Sequence, residues 1–233
     1  MSDKKFRNEN KYLISYMDYL TIHPVIAAYL NRDPHCTQEG GIYQITSLYF
    51  DSPDNMMVKD KDLGIDRRAK MRIRMYCNDP NTMFMEKKIK NNNFISKLRT
   101  NISVDEYKRI ISGDYSFRGY NAELDALLIY CKNCNLKPAV VVEYDKEVFI
   151  HDASNLRITF DMNAHSWLNT LDILAENPIK MPIYENNNMI FEIKYNYYLP
   201  SFVRSLVTPL ETKRIAFSKF ERCLNTIKPL DYI

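Results

Sequence analysis

The segment Arg68-Ala-Lys-Met-Arg-Ile-Arg-Met75 has a cation at every second position and an uncharged residue at each position between. Successive side chains of a β-strand point to opposite faces of the sheet. As a strand, this segment therefore has four cations on one face and alanine, methionine and isoleucine on the other. A face with four like charges cannot pack as an ordinary protein core.

A second strand is predicted directly after this one, across the polar link Asn78-Asp-Pro-Asn81. Its two faces differ in the same way, since one holds Phe84, Glu86, Lys88 and Lys90 and the other holds Met83, Met85 and Ile89. Lys87 is the one charge on the apolar face. Paired antiparallel, the two strands form a hairpin with a charged face and an apolar face.

Further segments repeat this alternation of charged and apolar positions. Their charged residues are Lys5, Arg7, Glu9 and Lys11, then Lys97 and Arg99, then Arg157 and Asp161, and then Glu192 and Lys194. On charge pattern alone, the charged face of the hairpin is the solvated face of an amphipathic sheet. Repeated over many strands, it either remains in water as an open sheet or lines the cavity of a closed barrel. A barrel lined with lysine, arginine and few carboxylates would bind a polyanion.

The composition limits the other possibilities. The chain has 233 residues, and 32 Lys+Arg against 29 Asp+Glu give a net charge of only +3, so any basic site must be local. The five cysteines are odd in number and irregularly spaced, which disfavours a disulfide framework and favours a reducing compartment. About eight strands with helices between them, and no long linker, predict one domain over residues 1–233. No window approaches the roughly 20 apolar residues of a membrane span, so we expect no membrane insertion and a cytoplasmic location.

Several kinds of chemistry are excluded by missing motifs. The sequence has no GxxxxGK[ST] or GxGxxG loop, and its five glycines argue against a glycine-rich phosphate loop. It also lacks HExxH and GxSxG, so neither a zinc protease nor a serine hydrolase is indicated. Many lysines and arginines with a few acids suit phosphoryl transfer, where positioning and charge neutralisation do most of the catalysis.

A series of short motifs carries a resemblance to a known family. They are Arg7-x-Glu9-x-Lys11-Tyr12, Ser47-Leu-Tyr-Phe-Asp51, Lys70-Met-Arg-Ile-Arg74, Met85-Glu-Lys-Lys88, Ser96-Lys97, Tyr144-Asp-Lys146, Arg157-x-Thr-Phe-Asp161, Phe191-Glu-Ile-Lys194 and Phe217-Ser-Lys-Phe220. In order and spacing they resemble the VTC domain, the polyphosphate polymerase domain of the vacuolar transporter chaperone family, within the triphosphate tunnel metalloenzymes. The resemblance extends from Arg7 to about Leu224.

This resemblance implies an α+β fold: a closed antiparallel eight-stranded β-barrel, the triphosphate tunnel, with helices packed outside. It implies a metal-dependent polyphosphate polymerase that uses ATP, inorganic polyphosphate or pyrophosphate, and Mn²⁺ or Mg²⁺. Carried over by position, the catalytic residues are Lys11, Arg72, Arg74, Lys88 and Glu192, the phosphate-binding residues are Lys61, Lys97, Lys146, Ser218 and Lys219, and the metal ligand is Glu192. Lys61 and Lys146 stand where similar proteins often have arginine, and Glu143 stands at a position that is basic in the family.

Alternatives remain open at this point. The same tunnel could hydrolyse tripolyphosphate or a nucleoside triphosphate, or it could be a polyphosphate-binding module without catalysis. Nucleic-acid binding is disfavoured because the aromatic residues do not interleave with the basic ones in a stacking motif. We expect Glu9, Glu86 and Asp161 to form salt bridges rather than metal contacts. If the product is exported, a membrane protein would be a partner.

Overall fold

The computed structural model describes residues 8–34, 39–91 and 94–227. Lys5, Arg7 and Cys36 lie outside these residues. The strands are β1 Asn8–Ile14, β2 Asn31–Arg32, β3 Ile42–Asp51, β4 Arg67–Tyr76, β5 Asp79–Asn91, β6 Phe94–Asn101, β7 Lys137–His151, β8 Leu156–Trp167, β9 Lys180–Pro182 and β10 Met189–Tyr195. The α-helices are α1 Tyr16–Tyr29, α2 Met56–Asp62, α3 Val104–Ile111, α4 Ala122–Asn133, α5 Ser201–Val207 and α6 Lys219–Ile227.

All ten strands belong to one sheet, so the α+β class dominated by an antiparallel sheet is confirmed. Neighbouring strands follow the order β1-β10-β8-β7-β3-β4-β5-β6, with β2 paired to β7 and β9 paired to β8. Within the described ranges this path begins at β1 and ends at β6 without a pairing between these two strands. Closure into an eight-stranded barrel is therefore not confirmed. Alternation along a strand identifies the polar face of that strand but not its neighbouring strands. The sequence pattern therefore could not predict whether the sheet closes into a barrel.

The turn between β4 and β5 differs from the prediction. The link consists of two residues, Cys77 and Asn78, each with a φ of 54°. Positive φ at both central residues is the geometry of a type I′ hairpin turn, which asparagine tolerates well. Pro80, predicted to lie in the link, instead lies near the start of β5, where a proline is tolerated.

Two α-helices begin with a reciprocal capping pair whose residues are three positions apart. The Ser15 hydroxyl accepts a hydrogen bond from the backbone N–H of Asp18, and the Asp18 carboxylate accepts one from the Ser15 N–H. Ser103 and Glu106 form the same reciprocal pair at the start of α3. Each pair satisfies two backbone donors that the first helical turn would leave unpaired. Pro24 lies inside α1, but the helix is not split there and continues to Tyr29.

The chain groups into two compact units. Unit 1 consists of residues 1–44, 144–164 and 182–218, and unit 2 of residues 45–143, 165–181 and 219–233. The single-domain assignment stays a prediction. No helix among the described residues has both the length and the apolar character needed to cross a membrane.

In each unit helices cover the apolar side of the strands. In unit 1 the core joins Tyr12 of β1, Phe160 of β8 and Phe191 of β10 to Ile26 of α1 and Val203 of α5. In unit 2, α4 packs on β5 and β6. Charged residues at the alternate positions of these strands are thereby directed away from α1, α4 and α5.

Candidate functional site

The charged residues of unit 2 form rows across four neighbouring strands. Tyr49 of β3 pairs with Arg72 of β4, Arg72 pairs with Glu86 of β5, and Glu86 pairs with Arg99 of β6. One row contains Lys70, Lys88 and Lys97, and another contains Ser47, Arg74 and Phe84. We call the surface formed by Lys70, Arg72, Arg74, Lys88, Lys97 and Arg99 the basic face. Four of the predicted site residues, Arg72, Arg74, Lys88 and Lys97, lie on it.

Glu86 is a buried carboxylate on the basic face, and its side chain is only 1% exposed. Its Oε2 lies 2.7 Å from Arg72 Nη2, and its Oε1 lies 2.6 Å from Lys97 Nζ and 3.3 Å from Arg99 Nε. Burial alone would raise the pKa of Glu86, but the positive charges of Arg72, Arg74 and Lys97 outweigh burial and lower it to about 2. One carboxylate thus interacts with several cations and stays ionised.

Tyr49 reports the excess of positive charge on this face. Its ring is stacked on Phe220 of α6 with 4.8 Å between centroids, and Arg72 Nη1 donates a hydrogen bond to its hydroxyl at 2.9 Å. Burial would raise the pKa of the phenol, yet the charges of Arg72, Arg74 and Lys70 lower it to about 8. A buried phenol is easier to ionise where nearby positive charge and hydrogen bonds to the ionised form outweigh the effect of burial. Sequence reasoning missed Tyr49 as a site residue, although it lies on the same face of β3 as Ser47 and Asp51.

Lys97 shows the same excess. Burial lowers its pKa, Glu86 raises it, and the neighbouring charges of Arg72 and Arg74 lower it further. By strand register, Arg68 and Lys90 lie on the same side as the six named cations, so cations outnumber carboxylates on the described basic face. Such an imbalance favours the binding of an anion with several charges.

The adjacent residues Lys87 and Lys88 lie on opposite faces of β5. Lys88 belongs to the basic face, whereas the Lys87 ammonium lies 3.1 Å from the centroid of the Tyr130 ring of α4. The cation–π interaction with Tyr130 accounts for the one charge that breaks the apolar pattern of β5. The pair provides neighbouring lysines with different surroundings in a single strand.

The charged face of unit 1 is built differently. Glu9 and Lys11 of β1 pair with Lys194 and Glu192 of β10, and we call these four residues the acid–base quartet. Lys11 Nζ lies 3.1 Å from Glu9 Oε1 and 3.5 Å from Glu192 Oε2. Lys194 also forms an ion pair with Glu192. Acids and bases balance within the quartet, in contrast to the basic face.

Other predicted residues of unit 1 also have acidic or backbone partners. Lys146 of β7 lies 3.2 Å from Asp161 of β8. Lys11 Nζ additionally donates to the carbonyl oxygen of Phe217 at 3.2 Å. Ser218 is buried at 7% exposure. Glu9, Glu86 and Asp161 are thus all in ion pairs, as the salt-bridge interpretation predicted.

Glu143 and Lys146 are three positions apart in β7 and therefore point to opposite faces. The Glu143 carboxylate accepts hydrogen bonds from Trp167 Nε1 at 3.2 Å and from Lys180 Nζ at 2.6 Å. The departure from the family pattern at Glu143 is therefore accommodated by two local donors.

Lys61 and Lys219 lie on helices of unit 2 rather than on the strands of the basic face. Lys61 of α2 forms ion pairs with Glu221 of α6 and, at 3.7 Å, with Asp62. Lys219 is the first residue of α6, directly before the Phe220 ring that stacks on Tyr49. The sequence could not indicate the pairing of Lys61, because Glu221 is far away in the chain.

The donor set of the acid–base quartet fits a divalent cation that also binds substrate. Mg²⁺ is commonly held by one or two carboxylates together with phosphate oxygens of the substrate. Glu192, the predicted metal ligand, supplies one carboxylate, and Lys11 lies within ion-pair distance of it. In residues 8–34, 39–91 and 94–227 there is no group of three or more His, Cys, Asp or Glu side chains that could hold a metal. Phosphate oxygens would therefore have to complete the coordination.

Solved structures with a similar fold include a candidate adenylate cyclase from Bacillus halodurans, with 12% identity, a TM-score of 0.52, and coverage of 92% of this chain and 93% of that chain. The PH1819 protein of Pyrococcus horikoshii OT3 is 12% identical with a TM-score of 0.50, over 95% of this chain and 99% of that chain. At this identity the likeness concerns the fold. No curated protein matches the sequence. The VTC domain model matches residues 6–228, so the chain belongs to the VTC domain family, which confirms the family indicated by the motifs.

Proposed function

We propose that this protein is a metal-dependent polyphosphate polymerase that transfers the γ-phosphoryl group of ATP to the end of a polyphosphate chain. Membership of the VTC domain family supports a phosphoryl-transfer enzyme. The observation that carries the proposal is the basic face, where three cations form ion pairs with one buried carboxylate, Glu86, and a buried phenol has its pKa lowered to about 8 by the surrounding cations. A polyanion with closely spaced phosphates is the ligand that best compensates such a charge.

The side chains of the basic face would bind phosphate oxygens and offset their charge. Arg72 and Arg74 supply planar guanidinium groups that can donate two hydrogen bonds each to a phosphate. Lys88 and Lys97 supply point charges in the adjacent row. Because Glu86 holds Arg72 by a 2.8 Å hydrogen bond from Nε, much of the guanidinium orientation is set before substrate binds. Preorganised donors of this kind stabilise charge that develops during phosphoryl transfer.

In the acid–base quartet, Glu192 would hold the divalent cation, Mn²⁺ or Mg²⁺. When bound, this ion would neutralise charge on phosphate oxygens. Lys11 and Lys194, which contact the Glu192 carboxylate, would then be available to donate to phosphate oxygens. Lys146 beside Asp161 would add a further phosphate-binding cation, and Ser218 and Lys219 are proposed to contribute a hydroxyl and a charge.

The reaction needs no nucleophile from the protein. An oxygen of the terminal phosphate of the acceptor, pyrophosphate or polyphosphate, attacks the γ-phosphorus in line. The bond from that phosphorus to the β–γ bridging oxygen breaks, and ADP leaves. The acceptor oxygen is already ionised at neutral pH, so no general base is required.

The test is to incubate the purified protein with ATP and Mn²⁺, with and without pyrophosphate, and to follow ADP, inorganic phosphate and polyphosphate together. A polymerase should produce ADP together with polyphosphate and little inorganic phosphate. ADP with an equal amount of phosphate would identify a hydrolase instead. Polyphosphate binding without turnover in any divalent metal would identify a binding module.

Lys88→Gln and Lys87→Gln form a matched pair for this test. Each removes one positive charge from β5, but only Lys88 belongs to the basic face. We expect Lys88→Gln to reduce polymer synthesis at least tenfold, since losing one charged hydrogen bond costs about 1.5–3 kcal/mol. Lys87→Gln should retain synthesis. Equal losses in both variants would contradict the assignment of the basic face.

A further inference from the structure

One end of the basic face carries aromatic rings among its cations. The Arg99 guanidinium carbon lies 3.6 Å from the centroid of the Phe84 ring. Tyr76 meets Phe84 edge to face, with 6.0 Å between centroids and 81° between planes. Arg74 hydrogen-bonds the Tyr76 hydroxyl, and its guanidinium carbon lies 6.0 Å from the Tyr76 ring. We call Arg74, Tyr76, Phe84 and Arg99 the aromatic end.

The aromatic end arises from strand register rather than from sequence proximity. Phe84 of β5 lies directly opposite Arg74 of β4, and Arg99 of β6 lies opposite Glu86, two residues further along β5. The sequence showed no interleaving of aromatic and basic residues, because these residues come from three different strands. Folding brings the rings and the guanidinium groups together.

These rings have no evident use for an inorganic ligand. Polyphosphate consists of charged oxygens and phosphorus, without a planar or apolar surface that could stack on a ring. A nucleoside triphosphate has such a surface at one end, its base. Aromatic rings and arginine guanidinium planes are the groups on which bases stack in proteins.

The position of the aromatic end suits the base of a nucleotide whose phosphates occupy the basic face. Lys70, Arg72, Arg74 and Tyr76 follow one another at every second position of β4. Successive side chains on one face of a strand are about 7 Å apart. The Tyr76 side chain is therefore about 7 Å beyond that of Arg74. This distance is comparable with the length of the ribose that separates a base from its phosphates. The Arg99 side chain is 36% exposed, so a base can reach it.

We propose that the aromatic end is the subsite for the nucleobase of ATP, with the base stacked on Arg99 and Phe84 and the phosphates extending past Arg74 along β4. This inference rests on the proposed use of ATP and assigns the part of the site that distinguishes ATP from inorganic polyphosphate. Tyr76 positions Arg74 between the two ligand regions through its hydroxyl.

The experiment compares the affinities of ATP and tripolyphosphate by calorimetry, in wild-type protein and in Arg99→Lys and Phe84→Leu. Tripolyphosphate has the three phosphates and lacks the base and ribose. Arg99→Lys keeps the charge and removes the planar group, and Phe84→Leu keeps an apolar side chain without the ring. The control is Arg109→Lys, which changes a second arginine that stacks on an aromatic ring, Phe117, 4.2 Å away on the helical side of unit 2.

We expect each of the two site variants to weaken ATP binding about tenfold, within the range measured for the loss of one stacked base. In Phe84→Leu, which removes no charge, tripolyphosphate affinity should change less than about twofold, and Arg109→Lys should resemble wild type with both ligands. If Phe84→Leu weakens the binding of ATP and of tripolyphosphate equally, or if ATP binding is unaffected in both variants, the base subsite is refuted while the basic face stands. If neither ligand binds wild-type protein, the proposed function fails together with the subsite.

Discussion

The phenol of Tyr49 allows the charge excess of the basic face to be measured directly. Its pKa is lowered from the ordinary value of 10.0 to about 8, although burial acts in the opposite direction. A shift of this size corresponds to about 3 kcal/mol of preferential interaction with the ionised phenol. We therefore expect one phenol of the unliganded protein to ionise near pH 8.

A polyanion on the basic face should reverse this shift. The negative charges of the ligand offset those of Arg72, Arg74 and Lys70, so the pKa of Tyr49 rises on binding. A ligand that raises a pKa binds the protonated form more tightly. Its affinity therefore falls as the pH rises through 8, by up to about tenfold per pH unit, until the pKa of the complex is reached.

The assay is a titration followed by the near-ultraviolet absorbance change of ionising tyrosine, with and without tripolyphosphate, together with binding measurements across the same pH range. Tyr49→Phe should lose the transition near pH 8 and the corresponding fall in affinity. Tyr19→Phe is the control, because burial and the neighbouring Glu147 raise the pKa of Tyr19 to about 12 and keep that phenol silent at this pH. The reasoning is refuted if Tyr49→Phe and wild type titrate alike, or if tripolyphosphate leaves the transition near pH 8 unmoved.

Three further predictions concern the carboxylates. Glu86→Gln leaves several partly exposed cations without the buried anion that they share. The free energy of unfolding in urea should therefore fall by about 3 kcal/mol at pH 7, while tripolyphosphate affinity increases; unchanged stability would contradict the ion pairs. The pKa of Glu86 in the folded protein, about 2, is below the ordinary value of 4.5, so the stability that this carboxylate contributes is complete above pH 4.5 and is lost as the pH falls toward 2. Urea unfolding curves should therefore show a steeper fall in the free energy of unfolding with falling pH in wild type than in Glu86→Gln. Glu192→Gln should abolish Mn²⁺-dependent turnover and keep tripolyphosphate binding. The control is Glu143→Gln, which changes a buried carboxylate on the face of β7 opposite Lys146 and should keep turnover. Mn²⁺-dependent turnover in Glu192→Gln would exclude Glu192 as the metal ligand.

The strands and the faces of the central hairpin could be predicted because alternation is a local property. Arg72, Arg74 and Lys88 share a face for the same reason that Met71, Ile73 and Met85 share the buried one. The capping boxes at Ser15 and Ser103 are equally local, since each pair is three residues apart. These features depend only on backbone periodicity and short-range hydrogen bonds.

The remaining features depend on contacts between distant segments. The lowered pKa of Tyr49 requires cations from β4, and its stacking partner Phe220 follows 171 positions later in the chain. The ion pair of Lys61 with Glu221 likewise joins two helices far apart in sequence. Whether β1 and β6 meet is decided by the twist and order of the whole sheet, and no single strand encodes it.

The two-residue turn at Cys77 and Asn78 also determines how this protein tolerates insertions and deletions. The pairing of β4 with β5 is irregular between Arg74 and Tyr76, so the turn and this irregularity together set the phase of the second strand relative to the first. If the irregularity is kept, one residue added in the turn would move Lys88 toward the Tyr130 ring and Lys87 into the cation row, whereas two would leave both in phase. Length changes in this turn should therefore be tolerated according to whether they are even or odd, so tags and fused domains belong at other loops.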